Sequence, residues 1–224
     1  MPNAAAAPTK TVFIVDDHPI VRQGLAMLIN REQGLTVCGD AADSCTALRL
    51  IEELKPDIIL VDISLNGPDG LDLLKNIRAR DAGLPVLILS MLDESLYAER
   101  ALRAGANGYI MKQEATERVL VAIRRILGGE IYLSDSMANR MLHRFVGGNQ
   151  LEKGSPIADL SDRELEVFRL IGEGHGTRQI ADELHVSVKT VESYQCHIKD
   201  KLSLKNAREL AQRAFQWKVD DRSS

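Results

Sequence analysis

Three kinds of reactive side chain recur at equivalent places in this sequence, each just past the carboxyl end of a short apolar run. Thr11 to Val15 is followed by Asp16 and Asp17, Ile58 to Val61 by Asp62, Pro85 to Leu89 by Ser90, and Asn107 to Met111 by Lys112. The runs are rich in β-branched residues and read as strands buried on both faces, as in a parallel sheet. In a doubly wound α/β sheet, ligands bind beyond the carboxyl ends of the strands. Three carboxylates brought together there repel one another unless a cation neutralises them. Oxygen ligands favour magnesium or calcium over softer metals. A hydroxyl and an ammonium opposite the acids are what a phosphoryl group requires. Taken singly, each residue has an ordinary explanation: Asp62 as a helix cap, Ser90 as a turn residue, Lys112 as a surface charge. Their joint placement carries the chemistry.

The elements between these residues alternate. Pro19 suits the first turn of a helix whose apolar face is Val21, Leu25 and Leu28. Leu35 to Cys38 is a second strand, and Ala47 to Leu54 a helix stopped by Pro56. Behind Asp62, Asn66, Gly67, Pro68, Asp69 and Gly70 form a dense turn. Leu71, Leu74 and Ile77 mark the next helix, Glu94 to Arg103 another, and Val119, Ile123, Ile126 and Leu127 a last one. This alternation predicts a five-stranded, doubly wound parallel sheet with helices on both faces.

Gly128 and Gly129 break the pattern. Ser134 to Phe145 reads as one more helix with Ser134 as its cap, and Val146 to Pro156 as a linker. The period thereafter is helical only. Ser161 and Glu164 are spaced as a capping box, and Leu165 and Phe168 begin the apolar face behind it. Ile180 and Leu184 mark a short helix. His185 to Ser187 is a tight turn, and Val191, Tyr194, Ile198 and Leu202 give the following helix its inner face. Ala207 to Trp217 is a fourth helix. The expected layout is a disordered tail over 1–9, an α/β domain over 10–127, a partly helical linker over 128–156 and a small all-α domain over 157–220.

Charge supports two functions in one chain. Lys10 to Arg144 carries 16 basic and 19 acidic residues, whereas Lys189 to Lys218 carries 7 basic and 3 acidic. A local basic excess in a mildly acidic protein fits binding to a polyanion. With Val191, Tyr194 and Ile198 facing inward, Lys189, Glu192, Ser193, Cys196 and Lys199 form one outward stripe. No apolar run approaches the length of a membrane span. Met1 to Pro8 lacks the basic region and apolar core of a signal peptide. Three cysteines without ligand spacing fit reduced thiols in a cytoplasm, and five scattered histidines give no indication of zinc.

Over Lys10 to Leu127 the sequence resembles the receiver domain of two-component response regulators. The matching motifs are Val15-Asp16-Asp17-His18, Leu60-Val61-Asp62, Leu89-Ser90 and Tyr109-Ile110-Met111-Lys112. The resemblance implies that Asp62 is the phospho-acceptor and that Asp17 ligates Mg²⁺, with Asp16 reaching it through water. It adds the Ser64 main-chain carbonyl as a further ligand, places Ser90 and Lys112 on the phosphoryl oxygens, and makes Tyr109 the aromatic whose rotamer tracks Ser90. Gln113 is a departure, since many receivers carry proline after the lysine. The implied phosphoryl donor is a sensor histidine kinase. Such a chain is not an enzyme on external substrates, though a receiver catalyses its own phosphotransfer and dephosphorylation.

Residues 159 to 218 resemble the LuxR-type helix-turn-helix domain, through Leu160 to Val167, Gln179 to Leu184 and Val186 to Ser193. The whole chain therefore is similar to a NarL/FixJ-type regulator. By that resemblance Glu192, Ser193 and Cys196 face base edges, Lys189 and Thr190 lie near phosphates, and Thr177 and Lys199 complete the interface with double-stranded DNA. Glu192 stands where lysine is frequent, which implies a different target sequence. The implied active form is a homodimer on an inverted repeat, formed on phosphorylation. The last helix pairs such domains, and Leu210, Ala211, Ala214 and Trp217 could serve that contact or their own core. Two alternatives stay open on the sequence. One is a protein-binding or phospho-relay module that does not bind DNA, and the other a metal-dependent phosphatase of α/β fold.

Overall fold

The computed structural model describes residues 8–65, 70–92, 94–146, 157 and 160–221 of the chain. The turn residues 66–69 and most of the tail lie outside the described residues. The chain divides into two units, Met1–Gly147 and Gly148–Ser224.

The first unit runs β1 (Lys10–Val15), α1 (Pro19–Asn30), β2 (Leu35–Ala41), α2 (Ser44–Leu54), β3 (Ile58–Asp62), α3 (Gly70–Arg80), β4 (Val86–Ser90), α4 (Glu94–Arg103), β5 (Gly108–Met111), α5 (Ala115–Leu127) and α6 (Asp135–Val146). The strands form one parallel sheet in the order β2-β1-β3-β4-β5. Chain order reverses direction between β1 and β3, which opens a crevice at their carboxyl ends. Every residue of β3 and β4 is buried, as their unbroken apolar runs require. β2 extends past Cys38 to Ala41, three residues further than hydropathy predicts. It is an edge strand, so the polar Asp40 can point to solvent and pair with Arg22. Likewise α2 begins at Ser44 rather than Ala47, because Asp43 caps it by accepting the Thr46 N–H at 2.9 Å.

The other edge of the sheet is covered by the segment after α5. Tyr132 bridges Gly108, donating its N–H to Asn107 and accepting from the Tyr109 N–H at 3.0 Å. A Cβ on Gly108 would lie 2.8 Å from the Tyr132 carbonyl oxygen, so the cover fits only over glycine. The Ser134 hydroxyl then caps α6 by accepting the Met137 N–H at 3.1 Å. The Glu94 carboxylate at the start of α4 accepts the Ser134 N–H at 3.0 Å.

The second unit contains α7 (Asp162–Gly172), α8 (Thr177–Glu183), α9 (Val188–Lys201) and α10 (Ala207–Asp221). Leu165, Phe168, Ile180, Val191, Ile198, Leu210 and Ala214 are buried together as its core. The capping box is formed, with the Ser161 N–H donating to Glu164 at 2.7 Å. Glu164 is itself buried and pairs with Lys201 at 2.7 Å, tying α7 to the end of α9. A Cβ on Gly172 would fall 2.6 Å from the Ala214 carbonyl oxygen, so α7 and α10 meet backbone to backbone. Leu210 and Ala214 belong to this core, and Trp217 packs on Phe168 with ring centroids 5.5 Å apart. Ala211 does not: it is exposed, as are Phe215 and Val219 one and two turns later on the same face.

Gly70 has a specific reason to be glycine. A Cβ there would sit 2.1 Å from the Asp62 carbonyl oxygen, and its N–H donates to Ile63 at 3.0 Å. The first residue of α3 thus rests directly on the end of β3. Gly70→Ala is expected to destabilise the first unit by about 1–3 kcal/mol, as overpacking does. Gly24→Ala, at an exposed position in α1 where a new methyl meets nothing within 4 Å, is expected to stabilise it by about 0.5–1 kcal/mol. Urea unfolding of the two variants reads the difference directly. Equal midpoints for both would show that the contact under Asp62 is unstrained by a methyl group.

Candidate functional site

The crevice between β1 and β3 collects the residues singled out in the sequence. Asp16 follows β1, Asp62 ends β3, Ser90 ends β4 and Lys112 follows β5. Asp16, Asp62 and Ser90 are at most 1% exposed. The Lys112 Nζ lies 2.7 Å from Asp16 Oδ2 and 2.7 Å from Asp62 Oδ2. The Ser64 N–H donates to the other Asp62 oxygen at 3.0 Å. The backbone at Asp16 is fixed from both sides: its N–H donates to Ala41 at 3.1 Å, and its carbonyl accepts from Arg22 at 2.6 Å. The Asp16 side chain accepts the His18 N–H at 2.8 Å.

Burial pushes the Asp62 carboxyl above the usual carboxylate range, with Asp16 adding to the rise and Lys112 opposing it. Burial also works against the Lys112 charge, but Asp62 and Asp16 outweigh it, so its pKa is raised and it stays an ammonium. One ammonium is therefore shared by two buried acids. Asp16, Asp17, His18 and Asp62 each offer one donor atom, all within 4.8 Å of one another. A predominantly carboxylate donor set with an excess of negative charge fits a hard divalent cation such as Mg²⁺.

Ser90 and Tyr109 are connected through the loop between them. The Ser90 Oγ accepts the Leu92 N–H at 3.0 Å, and the buried Tyr109 hydroxyl donates to the Leu92 carbonyl at 2.8 Å. The Leu92 side chain is 7% exposed. The backbone after Lys112 forms a 3-10 turn over Lys112–Glu114 and enters α5 directly, so Gln113 in place of proline leaves an ordinary entry to that helix.

In the second unit, α8, a four-residue turn and α9 form a helix-turn-helix. Lys189, Glu192, Ser193 and Cys196 are exposed on α9, and Lys199 is half-buried beyond them. The Ser193 hydroxyl donates to the Lys189 carbonyl at 3.0 Å. Thr190 is half-buried, with its N–H donating to the Ser187 cap at 3.1 Å and its hydroxyl 2.7 Å from the Ser187 hydroxyl. Thr177 accepts from Gln195 at 3.3 Å, joining the start of α8 to α9. Sequence reasoning placed these residues on one face but missed Ser187 and Gln195, which brace it. It also missed His18, which spacing alone gave no reason to place beside Asp17.

The comparisons with known proteins agree with this division. Residues 12–124 match the response regulator receiver domain, and residues 158–214 match the bacterial regulatory proteins of the luxR family. The chain is 38% identical over 212 residues to the oxygen regulatory protein NreC of Staphylococcus aureus, covering 93% of this chain and 98% of NreC. A structure of RcsB from Salmonella enterica serovar Typhimurium, bound to promoter P1flhDC with the phosphomimetic BeF3⁻, matches with TM-score 0.60 and 27% identity, covering 92% of this chain and 98% of that one. A structure of two RcsB dimers bound to two parallel DNAs matches with TM-score 0.56 and 26% identity, covering 91% and 97%. An α/β receiver whose acids converge on one lysine, followed by a luxR-type helix-turn-helix, makes this chain a DNA-binding response regulator of the two-component family that regulates transcription.

Proposed function

We propose that Asp62 is the phospho-acceptor, that a sensor histidine kinase is the donor, and that phosphorylation switches the helix-turn-helix unit to sequence-specific DNA binding. The observation that carries this reading is the Lys112 Nζ at 2.7 Å from both Asp62 and Asp16. Asp62 attacks the phosphorus in line through a carboxylate oxygen, forming the acyl phosphate as the bond to the donor imidazole breaks. Lys112 stabilises charge on the phosphoryl oxygens, and the Ser90 hydroxyl turns from Leu92 toward them. Asp17, Asp62 and the Ser64 carbonyl, with Asp16 through water, would hold Mg²⁺, which would supply charge neutralisation for the transfer. Loss of the Ser90 bond frees the Leu92 backbone, and with it the Tyr109 hydroxyl, which tracks Ser90.

The active form is a homodimer on an inverted repeat in double-stranded DNA, in the cytoplasm. Supporting it are the exposed α9 face and the apolar stripe Ala211, Phe215 and Val219 on α10. Among the described residues, no helix is long and apolar enough to cross a membrane. The working boundaries are a tail over 1–9, the receiver over 10–127, a partly helical linker over 128–156 and the DNA-binding domain over 157–220. On this reading Glu192, Ser193 and Cys196 meet base edges, Lys189 and Thr190 lie near the phosphates, and Thr177 and Lys199 complete the interface.

Acetyl phosphate with Mg²⁺ is expected to add one phosphoryl group to the chain, and Asp62→Asn to abolish the addition. Intact mass spectrometry reads both. Undiminished labelling of the Asn variant would refute Asp62 as acceptor.

On DNA, Lys189→Ala is expected to weaken binding to every sequence and to flatten the salt slope by about one unit. Glu192→Ala is expected instead to change base preference. Binding measured across a salt series and a randomised operator library separates the two. Loss of affinity in Lys189→Ala at an unchanged salt slope would mean that Lys189 makes no phosphate contact.

The lifetime of the phosphoryl group follows from Leu92. Hydrolysis needs a water in line with the bond to Asp62, and a polar side chain that orients this water speeds the step. Leu92 is buried and has no hydrogen-bonding group on its side chain, and Ser64 is short. The phospho-protein is therefore expected to outlast receivers with an acid or amide at the Leu92 position. Leu92→Glu should shorten the lifetime by roughly tenfold, less than the about 10²–10⁴-fold of a fully positioned acid–base group, because the new side chain only orients the water. Leu92→Ala should change it less. Decay after donor removal is the measurement, and a Leu92→Glu variant that decays no faster than the parent would remove water orientation as the determinant.

A further inference from the structure

The histidine after the two acids has a position that neither the receiver chemistry nor the helix it begins explains. His18 is the N-cap residue of α1, yet its side chain makes no cap hydrogen bond. Its backbone is fixed: the N–H donates to Asp16 Oδ1 at 2.8 Å, and the carbonyl accepts from Val21 at 3.1 Å and Arg22 at 3.2 Å. Pro19 follows at the first helical position. The imidazole therefore hangs from a rigid point at the mouth of the acid pocket, with its side chain 58% exposed. Its Nδ1 lies 2.6 Å from Asp17 Oδ1 and 3.3 Å from Asp16 Oδ1.

Those two separations have a geometric meaning. Adjacent ligands of an octahedral ion, each about 2.1 Å from the metal, lie about 3 Å apart. The His18 nitrogen stands from the two carboxylates at distances that bracket this edge. The four donors of Asp16, Asp17, His18 and Asp62 also lie within 4.8 Å of one another, close to the span of a single coordination sphere. We propose that His18 Nδ1 is a ligand to the divalent cation, so that the centre has one nitrogen among its oxygens. This rests on the reading of the acid pocket as the metal centre and adds a residue to it. Imidazole is a better ligand for Co²⁺, Ni²⁺ and Zn²⁺ than for Mg²⁺, which prefers oxygen. The identity of the cation then becomes a variable of this centre: borderline metals bind more tightly here than in an all-oxygen pocket of the same charge.

The test uses the full, tag-free chain and reads metal binding itself. Calorimetric titrations with Mg²⁺ and Co²⁺ are compared for the parent, His18→Ala and Asp17→Asn. Pulsed electron paramagnetic resonance of the Mn²⁺-loaded parent and His18→Ala looks for ¹⁴N coupling from a bound imidazole. The expected result is ¹⁴N coupling in the parent that is lost in His18→Ala, with Co²⁺ affinity falling about tenfold or more and Mg²⁺ affinity changing less than about threefold. A Mn²⁺-loaded parent without ¹⁴N coupling, or a His18→Ala variant with parental Co²⁺ affinity, overturns the assignment while leaving the acid pocket as a metal centre. Mg²⁺ binding that survives Asp17→Asn at parental affinity overturns the metal-centre reading itself, and the His18 assignment with it.

Discussion

The first unit depends on one ammonium held between two buried carboxylates. Lys112 follows β5, while Asp62 ends β3, and β4 lies between those strands in the sheet. To reach Asp62 and Asp16 at 2.7 Å, the lysine must pass over the end of β4, above Ser90. The ion pairs therefore join the ends of non-adjacent strands and hold the crevice in shape. Removing the lysine from such a buried set is strongly destabilising, because it leaves two carboxylates uncompensated away from water, whereas removal of one acid leaves the ammonium paired with the other. Two buried carboxylates share that one ammonium, and Asp17 and His18 bring further donor atoms within 4.8 Å, so the place is suited to a divalent cation.

A change at Ser90 has a continuous set of contacts to travel through. The Ser90 hydroxyl accepts the Leu92 N–H, and the Leu92 carbonyl accepts the Tyr109 hydroxyl. The Tyr109 N–H is held by the Tyr132 carbonyl, and two residues later Ser134 caps α6 while Glu94 of α4 accepts its N–H. Each step is a hydrogen bond between buried or half-buried groups, where leaving a donor unmatched costs about 1–3 kcal/mol. The path runs from the acceptor pocket to the start of the helix that leads out of the first unit. Contiguity alone does not establish coupling. It does identify Leu92 and Tyr132 as main-chain junctions at which two alternative bonding arrangements would have to compete.

Much of this was legible in the sequence because the chemistry follows strand ends. An apolar run places its next residue at the sheet margin, so Asp16, Asp62, Ser90 and Lys112 were located by hydropathy alone. The rest depends on contacts that periodicity does not encode. Tyr132 covers the open sheet edge through a single bridge, too short for any period-two pattern. Gly70 reads as one more turn glycine, whereas it is required by the approach of α3 to the Asp62 backbone. The faces of α10 could not be separated, because Leu210, Ala214 and Trp217 recur at the same three- and four-residue spacing as Ala211, Phe215 and Val219. The packing of Trp217 on Phe168 decides which row is core. His18 was passed over because its neighbours are set by the cap geometry of α1 rather than by any ligand spacing.

Two buried carboxyls, one in each unit, are shifted in opposite directions. Glu164 is 4% exposed against 1% for Asp62, and it too sits near a lysine. Its Oε2, however, accepts both the Ser161 N–H and the Lys201 ammonium, each at 2.7 Å, and the His197 Nδ1 lies 3.8 Å from Oε1. Burial works against its charge, but Lys201 and Ser161 outweigh that and lower its pKa. A lowered pKa in the folded state means that its contribution to stability is present above the ordinary carboxylate range and is lost as pH falls through the folded value. Glu164 is thus a stabilised anion that fixes α7 against α9. Asp62 is shifted the other way because its burial outweighs the opposing charge of Lys112, an ammonium it shares with Asp16. The same carboxyl chemistry is therefore shifted downward where donors outweigh burial and upward where burial outweighs a shared ammonium.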